Sequence, residues 1–476
     1  MSHHDPNQEH SHPAESHPNP SGQPPRQSGI LAKFFKFDRY HTTIRIELLA
    51  GFTTFMTMAY ILVVNPGILS DAIFLQASGD LFNELVIATA LSAAIATLVM
   101  GLWANYPLAL APGMGLNAFF TYSVVLGLGI DWRIALSAIL IEGLIFIALT
   151  LSNVRHLIVK AIPDCLKRAT AAGIGLFIAY IALSGAGIIA ADAVTKTKLG
   201  DLSQPSTLIA IAGILITSAF VARRLTGALL WGILATAALA WILGVSPLPQ
   251  GIIGIPELPV DLVGSAIAGL GRINQVNSWD FLAVLFVFLF VDLFDTVGTL
   301  TGVGMQAGYI NEQGELPRAN QALMADAVGT TVGAVLGTST VTTYIESASG
   351  IAEGGRTGFT AVVVAVLFIG SIFFIPLLSG IPAFATTPAL VIVGVLMAGN
   401  LRGIHWDDPA ESIPSFLTIL MMPLTYSIAE GLAIGLITYP LIKGFQGKGN
   451  EVAIAVWVLA GIFVVRFIVM AMNSGG

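Results

Sequence analysis

The stretch "TVTTYIESASG", residues 340–350, decides how the chain is organised, because it sets a carboxylate among apolar segments. It follows a glycine-spaced apolar segment and precedes another long apolar run, so Glu346 is predicted at membrane depth. The alternating β-branched residues of "TVTTYI" predict a short strand, and "ESASG" predicts the start of a half-helix. Glu346 is therefore expected where an extended segment meets a helix end.

The composition excludes a soluble globular protein. The chain has 476 residues, of which 55% are hydrophobic and 10% are charged, and its mean hydropathy is +0.82. In soluble proteins the charged fraction is about a quarter. The 50 glycines and 23 prolines fit helices that pack closely and break within a bilayer. These features predict a polytopic helical membrane protein.

Cysteine usage and charge placement exclude further classes. Cys165 is the single cysteine, which excludes a disulfide framework and a multi-cysteine metal cluster. The basic residues fall in short loops and form no stripe, so no nucleic acid partner is predicted. We also expect no cofactor and no enzyme activity.

The amino-terminal segment, residues 1–33, is predicted to be a disordered cytoplasmic tail. It holds five of the eight histidines and almost no apolar residues. Because it has no apolar stretch, it is not a cleavable signal sequence. Metal binding by these histidines is the less favoured alternative.

Apolar segments near the length of a membrane crossing recur along the rest of the chain in two series of seven. They lie near 46–68, 85–104, 107–126, 133–151, 167–190, 206–222 and 225–244, and near 279–300, 320–337, 341–353, 357–379, 384–400, 412–426 and 428–444. Two series of seven place the amino ends of the halves on opposite faces, which predicts an inverted repeat. Segment 452–470 is either a fifteenth crossing or an interfacial helix.

The loop charges predict the orientation. With the amino terminus in the cytoplasm, sixteen basic residues fall on that side, namely Arg26, Lys33, Lys36, Arg39, Arg45, Arg155, Lys160, Lys167, Arg168, Arg223, Arg224, Arg318, Arg356, Arg402, Lys443 and Lys448. The other side receives four, namely Arg133, Lys196, Lys198 and Arg272. Because cytoplasmic loops are enriched in Lys and Arg, a multi-pass protein of the inner or plasma membrane with a cytoplasmic amino terminus is expected.

The third and tenth segments are interrupted at matching places in the two halves. The third contains "LAPGMGLNAFF" with Asn117, and the tenth contains "TTYIESASG" with Glu346. Broken segments at equivalent positions of two repeats point to a transporter's binding site. Asn117 can donate and accept hydrogen bonds, which suits a polar heterocycle, although it can equally satisfy backbone at the helix break.

Carboxylates at membrane depth are the next candidates. A charged side chain at the bilayer centre costs about 2.5–3.5 kcal/mol on insertion scales, so Glu346 is predicted to be functional and not merely a helix cap. Asp292 and Asp295 are three residues apart, and Thr296 and Thr299 follow at i+4 and i+7 from Asp292, which predicts one polar helical face. Because three acids this close should not all ionise, a proton could be exchanged there.

Asp326 lies beside Gly329, Gly333 and Gly337, whose spacing of four predicts close helix packing. We expect it to bind a neighbouring backbone rather than ligand.

Aromatic residues near these positions, Phe119, Phe294 and Tyr344, could stack on a heterocycle, although core packing is the alternative for each. Glu142 and Glu430 are assigned no role.

The chain closely resembles the azaguanine-type adenine/guanine/hypoxanthine permeases within the nucleobase/ascorbate transporter superfamily. The matching stretches are "GFTTFMTMAYILVVNPGIL" (51–69), "APGMGLNAFF" (111–120), "FVDLFDTVGTLTGVG" (290–304), "ALMADAVGTTVGAVLGTSTVTTYIESASGIAEGGRTG" (322–358) and "IPSFLTILMMPLTYSIAEGLAIG" (413–435). The resemblance implies an all-α, fourteen-span inverted repeat whose third and tenth spans are half strand and half helix. It also implies that purine is held between these two spans and the eighth.

The resemblance divides the chain into domains. Spans 1–4 and 8–11 would form a core domain, and spans 5–7 and 12–14 a gate domain. The expected boundaries are a tail at 1–33, core at 34–155, gate at 156–275, core at 276–380, gate at 381–447 and a carboxyl-terminal apolar segment at 448–476.

The family's acids and amide fall on Asp295, Glu346, Asn117 and, as the ninth-span acid, Asp326. The residue patterns and the resemblance together predict eight substrate-binding residues. They are Glu346, Asp295, Asn117, Thr296, Thr299, Phe294, Tyr344 and Ser347. Asp292 and Asp326 are expected as proton-coupling or structural acids.

The expected function is proton-coupled import of purine nucleobases (adenine, guanine and/or hypoxanthine) by alternating access, and relatives of this architecture often form homodimers. One alternative is an anion carrier or channel of the same architecture. Another is an intramembrane aspartyl protease using Asp292 and Asp295, which is disfavoured because both acids lie on one helical turn.

Overall fold

The computed structural model describes residues 29–152, 162–309 and 316–474. Most of the predicted tail, the basic residues Arg155 and Lys160 and the predicted core–gate boundary at 155–156 lie outside the described residues. The first helix begins at Ile30, so the helical chain starts a few residues before the predicted end of the tail.

The described residues of the first half form helices and three short strands, which loops connect. Its helices are α1 Ile30–Phe35, α2 Phe37–Tyr40, α3 Ile44–Met58, α4 Ile61–Leu69, α5 Phe82–Val99, α6 Met114–Ala118, α7 Trp132–Leu151, α8 Asp164–Gly185, α9 Pro205–Ala222, α10 Ala228–Ile242 and α11 Ser265–Leu270. Wider π-helical turns, Met100–Ala104 and Phe119–Gly127, extend α5 and α6. The strands are β1 Leu110–Pro112, β2 Ile189–Asp192 and β3 Lys196–Leu199.

The described residues of the second half contain one strand, β4 Val341–Thr343. Its helices are α12 Ser278–Gln306, α13 Ala319–Leu336, α14 Ser347–Ala352, α15 Gly358–Ser371, α16 Ile375–Leu378, α17 Thr387–Ala398, α18 Pro409–Thr425, α19 Ile428–Phe445 and α20 Ile454–Ser474. Short 3₁₀ turns lie at Ile273–Gln275, Ile372–Phe374, Ala383–Thr386, Gly399–Gly403 and Gly449–Glu451.

Polar caps fix where several apolar helices begin. The side chains of Thr43, Asp131 and Asn277 accept hydrogen bonds from the first turns of α3, α7 and α12. Asp408 and Ser427 do the same for α18 and α19. Because the first amides of a helix have no partner within it, these caps set the boundaries that periodicity alone leaves open.

The described chain confirms a polytopic helical membrane protein. Nine helical stretches of the described residues are long and apolar enough to cross a membrane, namely Ile44–Leu69, Phe82–Ala104, Trp132–Leu151, Asp164–Gly185, Pro205–Ala222, Ser278–Met305, Gly358–Leu378, Ala383–Gly403 and Ile428–Phe445. Met114–Gly127, Ala228–Ile242 and Ile454–Ile468 are shorter apolar helices. The predicted segment 167–190 extends too far, because helix α8 ends at Gly185 and the β2–β3 hairpin follows.

The third and tenth segments each contain a three-residue strand followed by a short helix, as predicted. Strands β1 and β4 pair antiparallel, with Ala111 opposite Thr342. Because Leu110 pairs with Thr343 and Pro112 with Val341, a local two-fold axis relates residue 110 to residue 341. Continuing that register relates Gly115, not Asn117, to Glu346.

The helices pack in two groups. The crossing group contains β1, β4, α3–α7 and α12–α15, in which α13 packs on α5 and α7, and α15 packs on α3 and α5. The flanking group contains α8–α10 and α17–α19, in which α8 packs on α17 and α18. Helix α6 and helix α12 contact α8 between the groups.

The carboxyl-terminal helix α20 runs back along α19. Lys443 pairs with Glu451 near the turn between the two helices, and Arg466 donates to Glu430 at 2.9 Å near the start of α19. Phe463 of α20 also packs edge-on against Phe286 of α12. The helix that the sequence left as a crossing or an interfacial helix therefore lies along α19 and also contacts the crossing group.

Candidate functional site

Glu346 stands at the junction between β4 and α14. Its carboxylate accepts a 2.8 Å hydrogen bond from the hydroxyl of Tyr60, which is itself buried. Its backbone carbonyl accepts a hydrogen bond from the hydroxyl of Thr57 at 3.4 Å. Tyr60 and Thr57 belong to the first crossing, so the first and tenth segments hold this carboxylate together.

Asp295 approaches the same junction from α12. Helix α12 packs on β4 and on α14, and Asp295 interacts electrostatically with Thr342 of β4 and with Glu346. Tyr344 also interacts electrostatically with both acids. Two carboxylates that are 51 positions apart in the sequence therefore converge at the end of one strand.

An exposed face of α12 runs along the helix from Asp295. Asp295, Gly298, Gly302 and Met305 are exposed at spacings of three and four, whereas Phe294 and Thr296 are buried. A Cβ atom added at Gly298 or Gly302 would meet nothing within 4 Å. Because a carboxylate facing lipid is costly, we expect this face to line an aqueous cleft rather than hydrocarbon.

Tyr344 and Ser347 hold the two crossing segments together. The Tyr344 hydroxyl donates to the Pro112 carbonyl, and its backbone amide donates to the Ala109 carbonyl at 3.0 Å. The Ser347 hydroxyl accepts from the Ala109 amide at 3.0 Å. Both residues thus fix the position of Glu346 between them relative to β1.

The first backbone amides of α14 are already occupied. Ser347, Ala348 and Ser349 donate to the carbonyls of Tyr344, Ile345 and Glu346 at 3.0–3.2 Å. A tight turn therefore uses these three amides.

Asp292, Thr296 and Asp326 form a separate polar cluster between α12 and α13. The Thr296 hydroxyl lies 2.6 Å from an Asp326 oxygen and 3.4 Å from an Asp292 oxygen, and all three residues are fully buried. Asp326 therefore contacts a neighbouring side chain, whereas a backbone partner was predicted. Asp292 and Thr296 face α13, so the predicted single polar face divides, and Asp295 alone turns to the strand crossing.

Asn117 lies on the other side of the crossing. Its carboxamide oxygen accepts a hydrogen bond from the Ser339 hydroxyl, and its nitrogen has no hydrogen-bond partner among the described residues. Its structural equivalent by strand register is Ala348 and not Glu346. Gly115, the equivalent of Glu346, packs so tightly that an added Cβ would lie 2.5 Å from Ile174 of α8.

The remaining predicted residues lie around the junction. Phe294 packs edge-on against Phe290 at 4.5 Å, and Lys167 of α8 lies 5.4 Å from its ring centre. Phe119 packs against Phe288 at 5.0 Å. Thr299 is half-buried one turn after Asp295. The contacts of Phe294 and Phe119 are thus those of helix packing.

Three residues near the junction and the strand crossing were not predicted from the sequence. Thr342 could have been found, because alternation along a strand places it on the same face as Tyr344. Tyr60 had no local signal, since it lies in an apolar run 286 positions from its partner. Glu142, which was assigned no role, is buried and accepts a 2.9 Å hydrogen bond from Thr340 at the start of the crossing.

Among the described residues, no group of three or more His, Cys, Asp or Glu side chains is arranged to hold a metal ion. The chemistry of the junction is that of hydrogen-bond acceptors and exchangeable protons.

The family model that matches this chain and two similar proteins of known sequence are named as permeases. The model of a permease family matches residues 45–434. The guanine/hypoxanthine permease PbuG of Bacillus subtilis is 46% identical over 442 residues, covering 91% of this chain and 99% of that protein. The adenine permease AdeP of Escherichia coli is 40% identical over 447 residues, covering 92% of this chain and 96% of that protein.

Among solved structures, the transmembrane domain of a cyanobacterium bicarbonate transporter, BicA, is similar with a TM-score of 0.58. The sequence identity is 15%, and the match covers 82% of this chain and 97% of that chain. At this identity the likeness shows a shared fold alone.

Proposed function

The chain belongs to this permease family, in its purine nucleobase branch, and from that premise we propose that it imports purine bases together with protons. The observation that carries the proposal is that α12, which bears Asp295, packs on β4 and α14 at the junction that holds Glu346. The relatives named for guanine, hypoxanthine and adenine supply the substrate class.

The junction suits a flat, neutral base with ring N–H groups. The carboxylates of Glu346 and Asp295 accept hydrogen bonds from such groups, and the Tyr60 hydroxyl orients Glu346. Hydrogen bonds to charged acceptors contribute about 1.5–3 kcal/mol each, which makes them the main polar interactions of such a site.

Proton coupling follows from the closeness of the two acids. Two neighbouring carboxylates repel each other when both are ionised, so a proton bound between them relieves that repulsion. A base and a proton then enter the site together, and neither crosses alone. Asp292 of α12 and Asp326 of α13, bridged by Thr296, form a second buried acidic pair close to Asp295.

Alternating access requires two bodies that move against each other around the site. The crossing group carries Asp295 and Glu346, and the flanking group contacts it through α8, α10 and α19, so we propose that these groups act as the core and gate domains. We place the amino terminus in the cytoplasm of a cell whose plasma membrane holds the protein. A homodimer is the proposed assembly.

The experiment is uptake of labelled purines into proteoliposomes under an imposed pH gradient. Competition by unlabelled adenine, guanine, hypoxanthine, uracil and xanthine ranks the substrates. We expect accumulation of at least one purine that collapses when a protonophore is added. Transport of bicarbonate or sulfate without any purine would instead identify the anion carrier of similar fold.

A further inference from the structure

A second cavity lies on the face of the protein opposite the cleft expected along α12. The exposed face of α12 ends near Tyr309, whose ring contacts Tyr40 just before α3. The second cavity lies at the other end of the α3–α4 pair, where it is lined by the carboxyl end of α4, the loop 70–81, the start of α5 and the segment 379–386, and it is partly open. Its volume is about 470 Å³.

One side of this cavity is formed by α4, which leads towards the candidate site. Val63, Gly67, Ser70 and Asp71 line it and follow one face of α4 and its end at spacings of three or four. The same face continues one turn deeper to Tyr60, which donates to Glu346. Val63 and Tyr60 are buried. The helical turn that they form lies between the cavity and the carboxylate of Glu346.

The other wall belongs to the flanking group. Ser379, Ile381, Ala383 and Thr386 line it, and the turn Ala383–Thr386 packs on α9, α10 and α17. The cavity therefore lies where the two helix groups part. A relative movement of the groups would open or close the turn at Val63 and Tyr60.

The two carboxylates that line the cavity differ in their hydrogen-bond partners. The Asp80 carboxylate is occupied by the backbone amides of Leu75, Gln76 and Ala77. The amide of Gln76 and its neighbours hold the pKa of Asp80 below its ordinary value. This leaves the Asp71 carboxylate, positioned by the Tyr122 hydroxyl at 2.7 Å.

We propose that this cavity, the outer vestibule, holds a purine-type base on its way to Glu346, which makes it a second binding station. The inference rests on the proposed transport of purines. Asp71 would accept from a ring N–H, Asn83 would donate to and accept from the ring edge, and Val63 and Ile381 would contact its faces. The volume falls within the usual range for small-molecule pockets, about 300–1,000 Å³.

The test uses a single reporter cysteine. Cys165 is the only cysteine and is buried, so Cys165→Ser gives a cysteine-free chain. Gly67→Cys in that chain places a thiol in the vestibule, and a Cβ atom there meets nothing within 4 Å. The purified protein in detergent is treated with a charged methanethiosulfonate reagent, with and without hypoxanthine, guanine or adenine.

We expect labelling at Gly67→Cys to be slowed at least fivefold by the transported base. Leu75→Cys, on the same loop but outside the vestibule, is the matched control, and its labelling should not change. Slowing should persist when Glu346→Gln is added, because the vestibule holds the base independently of the central carboxylate.

Three results would overturn the inference: no labelling at Gly67→Cys, labelling that bases leave unchanged, or protection that disappears with Glu346→Gln. The last result would show that protection reports a conformational change driven from the central site. Uptake by the cysteine-free chain is measured in parallel. If purines are taken up but do not protect Gly67→Cys, only the proposed binding of a base in the vestibule is refuted. If no purine is taken up, the proposed function and the binding in the vestibule are both refuted.

Discussion

The crossing of β1 with α6 and the crossing of β4 with α14 share a backbone course but differ in what they carry. Register relates Gly115 in the first to Glu346 in the second. Gly115 packs against Ile174 of the flanking group, whereas Glu346 meets Tyr60 and faces Asp295. The fold therefore supplies two equivalent positions, of which one is used for close packing and one for a charge.

This difference indicates that the two halves contribute to the site in different ways. A glycine allows α6 and α8 to approach, and a side chain there would separate the two helix groups. A carboxylate occupies the equivalent place in the second half, where Glu346 accepts a hydrogen bond from Tyr60. Packing in one half and hydrogen bonding in the other would together set the position of the base between the groups.

The largest effect is expected at the charged crossing. Glu346→Gln should lower purine uptake about 100-fold while the protein still reaches the membrane, since it removes a charged acceptor of the base. Glu353→Gln, seven positions later and exposed, is the matched control and should keep normal uptake. Initial uptake rates normalised to the amount of membrane protein measure this, and comparable rates for both variants would refute the role of Glu346.

The packed crossing should respond to size rather than charge. Gly115→Ala should slow uptake about 30-fold, because overpacking costs about 1–3 kcal/mol and the new Cβ would lie 2.5 Å from Ile174 Cγ2. Ile174→Ala removes that methyl group and should restore part of the rate in the double variant. A failure of Ile174→Ala to restore any activity would separate this position from contact between the groups.

A smaller effect is expected from the hydroxyl that orients the acid. Tyr60→Phe should raise the KM for the base about tenfold, because Glu346 loses a 2.8 Å hydrogen bond but keeps its charge. Tyr106→Phe is the comparison, since Tyr106 contacts Arg318 and not the acids. Equal KM values for the two tyrosine variants would count against an orienting role for Tyr60.

The smallest effect is expected at the amide of the first crossing. Ser339→Ala removes the donor to Asn117, and a neutral hydrogen bond contributes about 0.5–1.5 kcal/mol, so uptake should fall about threefold. The thermal midpoint of the purified protein should also decrease. A loss as large as that of Glu346→Gln would mean that Asn117 contributes to the site as strongly as the acid does.

The sequence predicted the parts of this comparison that depend on local pattern. Strand-like alternation before Glu346, and proline and glycine before Asn117, marked both interruptions, and the structure has a strand and a short helix at each. The cost of a charge at membrane depth singled out Glu346, and the spacing from Asp292 together with the family resemblance singled out Asp295. The fourteen-span repeat and the core and gate boundaries stay predictions.

The parts that were missed or wrong depend on tertiary contacts. Tyr60 looks like any other residue of an apolar helix until the fold brings it to Glu346. The pairing of Asn117 with Glu346 followed sequence position, whereas the strand register relates Glu346 to Gly115. The division of Asp292 from Asp295 depends on where α13 packs, which helical periodicity along α12 cannot indicate.

The most direct test of the account is a double-mutant cycle on purine binding. Equilibrium binding of the transported base to the purified protein is measured for the unmodified chain, Asp295→Asn, Glu346→Gln and the double variant. If both acids hold one base, each single variant should lose nearly as much affinity as the double variant. Losses that simply add would place Asp295 and Glu346 in independent sites and contradict the central claim.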